Sequence, residues 1–226
     1  MKRSLPRLIT DLARAYASHR YAILFYSLLI TVVAVPLLVA MRLHGGLLEL
    51  FLALNLLAGV LGLEAGRRRL VLLILSGAVV LIHFAFGEAA YVRPVALAFW
   101  TAIAMLSAAF ALRYALRSTR IDAEHIYAAL SAYLLGGVFF GVLYHGIDHF
   151  WPGSFSASGS AGIFPLADAI YFSFVTLATL GYGDMVPVSE IARGLAVIEA
   201  VSGQLFLAVL VARLVSSHVG TRGGRE

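Results

Sequence analysis

Six apolar runs, parted by short connectors, constrain this chain more than any other feature. Tyr21 to Met41, Leu47 to Leu63, Leu70 to Phe86, Pro94 to Leu112, Ile126 to Tyr144 and Leu195 to Leu214 are each near the ~20 residues that cross a bilayer. In hydrocarbon a backbone N–H or C=O finds no water, so each run is expected to bond internally as a helix. An all-α transmembrane fold of six spanning helices is therefore expected. Composition agrees. Charged residues make up 13% of the chain and mean hydropathy is +0.92, whereas a soluble domain carries about 25% charged residues. Cysteine is absent, which excludes a disulfide framework and a cysteine metal site.

The net charge of +5 and pI near 9.7 do not point to nucleic acid, because the basic residues sit at the ends of the runs. With the N-terminus inside, the inner side holds Lys2, Arg3, Arg7, Arg14, Arg20, Arg67, Arg68, Arg69, Arg113, Arg117, Arg120, Arg213, Arg222 and Arg225. The outer side keeps only Arg42, Arg93 and Arg193. That asymmetry predicts cytoplasmic termini in a cell membrane. Residues 1–20 read as an interfacial, amphipathic or simply solvated basic segment, and residues 218–226 as a cytoplasmic tail. No nucleotide- or calcium-binding gating domain is expected.

The stretch between the fifth and sixth runs falls outside. Trp151 to Pro165 is rich in Gly and Ser and reads as an exposed loop. Leu166 to Ala178 is apolar but too short to span, so it is expected to dip into the membrane and return. Asp168 is placed to cap its start, and its carbonyl end would favour a cation. Next comes Thr179-Leu180-Gly181-Tyr182-Gly183-Asp184. Glycine at alternate positions opens conformations closed to residues with a Cβ. Such a segment can turn successive carbonyls to one side, where they replace the water shell of a bare cation.

These six residues resemble the selectivity filter of tetrameric potassium channels, usually T-V-G-Y-G-D, with Leu180 in place of Val. The resemblance covers about Ile126 to Val215 and implies a pore domain over 121–217, preceded by a four-helix non-pore domain over 21–120. It implies a homotetramer in the lipid bilayer, with K+ ions bound by the carbonyls of Thr179, Leu180, Gly181 and Tyr182 and by the Thr179 hydroxyl. Gly183 supplies the outer bend, and Asp184 stands at the outer mouth with Tyr171 as its aligned partner. Val175 occupies the position where some of these channels carry a buried glutamate. Gly203 matches the gating hinge. If Gly203 faces the axis, helical spacing places Leu207, Val211 and Val215 on the same stripe, lining a cavity and an inner gate.

The function implied is passive, potassium-selective conduction, not an enzymatic activity. Strong voltage gating through the fourth helix is not expected, because no arginine lies between Pro94 and Leu112. Leu180 keeps a less selective cation channel open as an alternative. A non-conducting subunit is another. A metal-handling protein or membrane enzyme would use His145, Asp148, His149 and Glu199, and His145 and His149 have i,i+4 metal-ligand spacing. Without a third placed ligand they read as an interfacial cluster with Trp151. Glu199, an ionisable residue inside a span, is a functional candidate by default. It is expected to pair behind the short helix, for example with Thr176, or to respond to protons. Ala132–Gly136 and Gly137–Gly141 are small-residue pairs suited to close helix packing. No phosphate loop, nucleophile elbow or zinc-protease motif appears, so no organic cofactor is expected. Nothing in the sequence names an accessory subunit.

Overall fold

The computed structural model describes residues 16, 18–40, 46–61, 66–86, 92–117, 121–157 and 164–222. The basic stretch 1–15, Arg42, Glu64, Arg120, Arg225 and the Gly/Ser run 158–163 lie outside the described residues. The fold is largely helical, with elements α1 (Arg20–Ala40), α2 (Gly46–Leu61), α3 (Arg67–Phe86), α4 (Val92–Arg117), α5 (Ala123–Phe150), β1 (Phe155–Ala157), α6 (Leu166–Leu177), β2 (Met185–Pro187) and α7 (Glu190–Arg222). Val95–Arg117, Ala123–Phe150 and Glu190–Ser217 are long and apolar enough to cross a membrane. Arg20–Ala34, Arg69–Ile82 and Leu166–Leu177 are shorter apolar helices. The chain is an integral membrane protein.

The last spanning helices outrun their apolar stretches, because helical hydrogen bonding does not stop where the hydrocarbon does. At the start of α5, Asp122 accepts from the His125 backbone N–H at 3.1 Å. That bond, and one from the His125 ring, hold the Asp122 carboxyl below the usual carboxylate range. At the end of α4, Arg213 of α7 donates to the Ala115 carbonyl at 2.7 Å, satisfying one of the last-turn carbonyls a helix leaves open. The sequence places Arg213 only among the basic residues of the inner side.

Helix α5 is the hub, packed against α1, α4, α6 and α7. Its contact with α4 is a seam of small side chains, in which Ala128, Ala129 and Ala132 cluster with Ala104, Ala108, Ala111 and Ala115. Small residues let helix backbones approach where no hydrophobic effect draws them together. The opposite side of α5 receives α6. A Cβ on Gly137 would lie 2.7 Å from the Phe174 ring, and one on Gly141 would lie 2.7 Å from the Ile170 Cα. Gly136 meets nothing within 4 Å. The two small-residue pairs therefore divide: Ala132 serves the α4 seam, Gly137 and Gly141 admit α6, and Gly136 serves neither.

The connector after α5 is exposed at Trp151, Pro152, Gly153, Ser156 and Pro165, as expected, but departs from that reading at three positions. Ser154, Phe155 and Phe164 are buried, and Phe155 stacks on Phe164 at 4.7 Å between centroids. Asp148, also buried, accepts from the backbone N–H of Ser154 at 3.1 Å and of Phe164 at 2.8 Å. One carboxylate thus holds both ends of the connector. The Gly/Ser content concealed two aromatic anchors whose rings need cover. Phe155–Ala157 also pairs antiparallel with Met185–Pro187, tying the connector to the chain that leaves the glycine motif. Three-residue strands carry no readable periodicity in sequence. Pro165 occupies the N-cap of α6 without a side-chain bond, so Asp168 lies in the first turn rather than at the cap.

Gly141→Ala should cost about 1–3 kcal/mol, because the new methyl meets backbone that cannot swing aside. Gly136→Ala should be close to neutral. Thermal unfolding of the two purified variants in detergent separates the outcomes.

Candidate ion-conducting site

Helix α6 ends in a tight turn. Ala178 N–H donates to the Phe174 carbonyl at 3.0 Å, Thr179 N–H to Thr176 at 3.0 Å and Leu180 N–H to Val175 at 2.9 Å. The chain then leaves in a repeating conformation. Thr179 has φ 57°, Gly181 58° and Gly183 78°, while the intervening Leu180 and Tyr182 stay in ordinary space. Alternating left- and right-handed residues cancels the usual reversal of successive carbonyls and turns them toward one side. A β-branched residue at positive φ is a strained outlier, kept only where its surroundings impose it. Among the described residues, no donor reaches the carbonyls of Thr179, Leu180, Gly181, Tyr182 or Gly183. Five consecutive free acceptors beside apolar helices are what a dehydrated cation requires.

The surroundings hold this run from outside. Tyr171 of α6 donates its hydroxyl to Asp184 Oδ2 at 3.0 Å, bracing the far end. At the near end, Gln204 Nε2 of α7 lies 3.4 Å from Thr179 Oγ1, the long limit of a hydrogen bond. Tyr133 of α5 donates to the last α6 carbonyl, Leu177, at 3.1 Å. Gly203 is buried against that same residue. A Cβ there would sit 2.8 Å from both the Leu177 carbonyl oxygen and its side chain. Gly203 therefore faces α6, and α7 runs through it without a break.

The residue of α7 that reaches the glycine run is Gln204, so the stripe that continues from it by helical spacing includes Val211 and Val215. Both are exposed in the protomer, whereas Leu207 is half-buried. Sequence reasoning passed over Gln204. Its signal was there to read: it is the only amide in the apolar stretch of α7.

Glu199 does not pair with Thr176. It is fully buried, with Oε2 accepting from the Tyr144 hydroxyl of α5 at 2.6 Å and Oε1 lying 2.5 Å from Ser173 Oγ of α6. Ser173 is one turn before Thr176. Val175 is buried, so the carboxyl behind α6 comes from α7. His145 and His149 do not converge with it. The His145 ring bonds the Phe164 carbonyl at 2.8 Å, and His149 packs edge-on against Phe150. Among the described residues, no group of His, Asp and Glu is arranged to hold a metal ion.

Comparison with known proteins places the same region. Residues 128–218 match the family described as Ion channel. The chain is 37% identical over 93 residues to two pore potassium channel c of Oryza sativa subsp. japonica, an alignment covering 41% of this chain and 18% of that protein. It is 40% identical over 63 residues to the inward rectifier potassium channel Kirbac3.1 of Paramagnetospirillum magnetotacticum, covering 28% of this chain and 18% of the relative. It is 42% identical over 66 residues to protein LctB of Geobacillus stearothermophilus, covering 29% and 48%. The chain thus spans less than half the length of each of these relatives. No solved structure matches significantly.

Gly203→Ala should push the Leu177 carbonyl away from Tyr133 and destabilise the α6–α7 contact by about 1–3 kcal/mol. Thermal unfolding in detergent is the check. An unchanged midpoint would mean the contact yields to the methyl without loss of stability.

Proposed function

We propose that the protein is a potassium-selective channel in which four copies surround one axis, each contributing the carbonyls of Thr179, Leu180, Gly181 and Tyr182. The observation that carries this is the run of positive φ at Thr179, Gly181 and Gly183 with its free carbonyls. Similarity over residues 128–218 to ion channels, and to proteins named as potassium channels, supports it. A channel moves ions and breaks no covalent bond, which fits the absence of any catalytic motif from the sequence.

Assembly follows from the same carbonyls. Irregular backbone at membrane depth is tolerated only where protein or a water-filled cavity covers it. In one protomer Leu180 and Tyr182 are exposed, and so are Val197, Val201, Leu205 and Val209 along α7. Neighbouring copies would cover these surfaces and close the ring. Both termini would lie in the cytoplasm, six helices would span the cell membrane, and Val211 and Val215 would line the inner passage, with Leu207 beside them. Bending at Gly203 would add to its packing role, and Thr176 and Val175 would anchor the filter through their carbonyls. The four-helix region lacks the arginine repeat of a voltage sensor, so the pore would open through some other stimulus.

The test is ion flux in liposomes containing the purified protein. Potassium flux well above sodium flux is expected of a carbonyl filter. Gly181→Asp, which forces a side chain into a φ of +58°, should abolish it. Equal fluxes of both ions would point to the less selective channel that Leu180 suggests.

A further inference from the structure

Glu199, Tyr144 and Ser173 form a closed polar cluster inside the membrane, and counting its protons gives a result that the pore reading does not require. Three contacts must be satisfied: Tyr144 hydroxyl to Glu199 Oε2 at 2.6 Å, Ser173 Oγ to Glu199 Oε1 at 2.5 Å, and Ser173 Oγ to the Gly137 carbonyl at 2.7 Å. A carbonyl only accepts, and an ionised carboxylate only accepts. The two hydroxyls supply two protons for three contacts. If Glu199 were ionised, Ser173 would face two acceptors with one hydrogen, and two oxygens would stand at hydrogen-bond distance with none between them. The missing proton therefore belongs to the carboxyl.

The surroundings agree. All three residues are buried. The titratable side chains facing Glu199 are Tyr144 and Tyr133, both from α5. Helix α6 presents Ser173, and α7 presents Gly203 one turn further on. Among the described residues, no arginine, lysine or histidine forms an ion pair with Glu199. An unpaired charge at this depth would be expensive, whereas a neutral acid with each oxygen bonded is not.

We infer that Glu199 is a neutral carboxylic acid that donates its proton to Ser173, and that this proton positions α6 against α5 and α7 and so positions the filter. The chain of bonds runs from the Tyr144 hydroxyl through the carboxyl to the Ser173 hydroxyl and on to Gly137. Two contact points on α5 and one on α7 thereby converge on the middle of α6, one turn ahead of the carbonyls that receive Thr179 and Leu180. Loss of the proton would break the relay at Ser173 and leave a bare charge behind the filter. Glu199 acts here through Ser173 and does not touch an ion.

The inference about conduction rests on the pore reading, whereas the inference about the proton does not, and two measurements keep them apart. The first is infrared difference spectroscopy of the full-length protein in lipid, wild type minus Glu199→Gln. A protonated-carboxyl C=O band assigned to Glu199 at neutral pH is expected. Carboxylate bands in its place would overturn the proposal, whether or not the protein conducts. The second is potassium flux through the same samples. Glu199→Gln, whose amide can donate to Ser173 and accept from Tyr144, should keep flux within about twofold of wild type, since each bond of the relay is retained. Glu199→Ala should lose at least about tenfold, because it removes the bond to Ser173 and leaves the Tyr144 hydroxyl buried without its acceptor. Equal loss in both variants would overturn the positioning role. Raising the pH until the wild-type band disappears should abolish wild-type flux over the same interval and leave the Gln variant unchanged. Flux that persists after the band has gone would also overturn it. A wild type that carries no ion at any pH would refute the pore reading, and the spectrum would still decide the proton.

Discussion

A backbone that offers its carbonyls to an ion cannot also use them to hold itself in place. That single constraint would organise the proposed pore. Residues 179–183 have no helix ladder and no strand partner, and their carbonyls take no donor among the described residues. Whatever fixes their conformation must act on their N–H groups, their side chains or their flanks. The structure supplies all three. Thr179 and Leu180 are tied by N–H to the end of α6, Gln204 approaches the Thr179 hydroxyl, and Tyr171 holds Asp184 beyond the run. The φ of 57° at Thr179 is a strain that only such an external frame sustains.

The frame must itself be held, and its material is unusual for a membrane interior. Helix α6 is only 12 residues long and cannot be anchored by water at both ends. It is fixed by close approach and by polar contacts. Gly137 and Gly141 admit its ring and backbone to α5, Gly203 admits its last turn to α7, and Tyr133, Tyr144, Ser173 and Glu199 bond across the three helices. Close packing sets distance and hydrogen bonds set register. In hydrocarbon each polar group that joins such a cluster does so because the alternative is to have no partner.

Much of this was legible in the sequence, and what was not has identifiable causes. The helices announce themselves through apolar length, and the glycine run through its spacing. Glu199 stood out as an ionisable residue in a span. Its partner was placed at Thr176 when it is Ser173, because the two lie one turn apart on α6 and the choice depends on how α6 crosses α7. No periodicity encodes that angle. Gly203 has the same history: a glycine in mid-helix is equally consistent with bending and with contact, and only the position of Leu177 shows the contact. Asp148 looked like one member of an interfacial cluster. Its two backbone partners come from opposite ends of a connector, a pairing set by tertiary closure. The connector reads as exposed because its Gly and Ser outnumber Phe155 and Phe164, yet those two rings and Ser154 are buried while Trp151 is not.

The two ends of α7 answer to different neighbours, and this bears on how the proposed pore could open without disturbing residues 179–183. The N-terminal half, through Glu199 and Gly203, is locked to α6. The C-terminal half leaves Val211 and Val215 exposed and reaches sideways through Arg213 to the last turn of α4. A displacement of α4 would therefore pull on the C-terminal half of α7 first. The cluster at Glu199 lies about four turns away along the same helix, and its cross-helix bonds resist transmission of that pull to α6. In the channel proposed above, a rigid frame at one end of α7 and a separate tether at the other would let the passage change width while the carbonyls keep their spacing. There α4 would bear on conduction through the Arg213 guanidinium at its last turn, with no need for charges of its own inside the membrane.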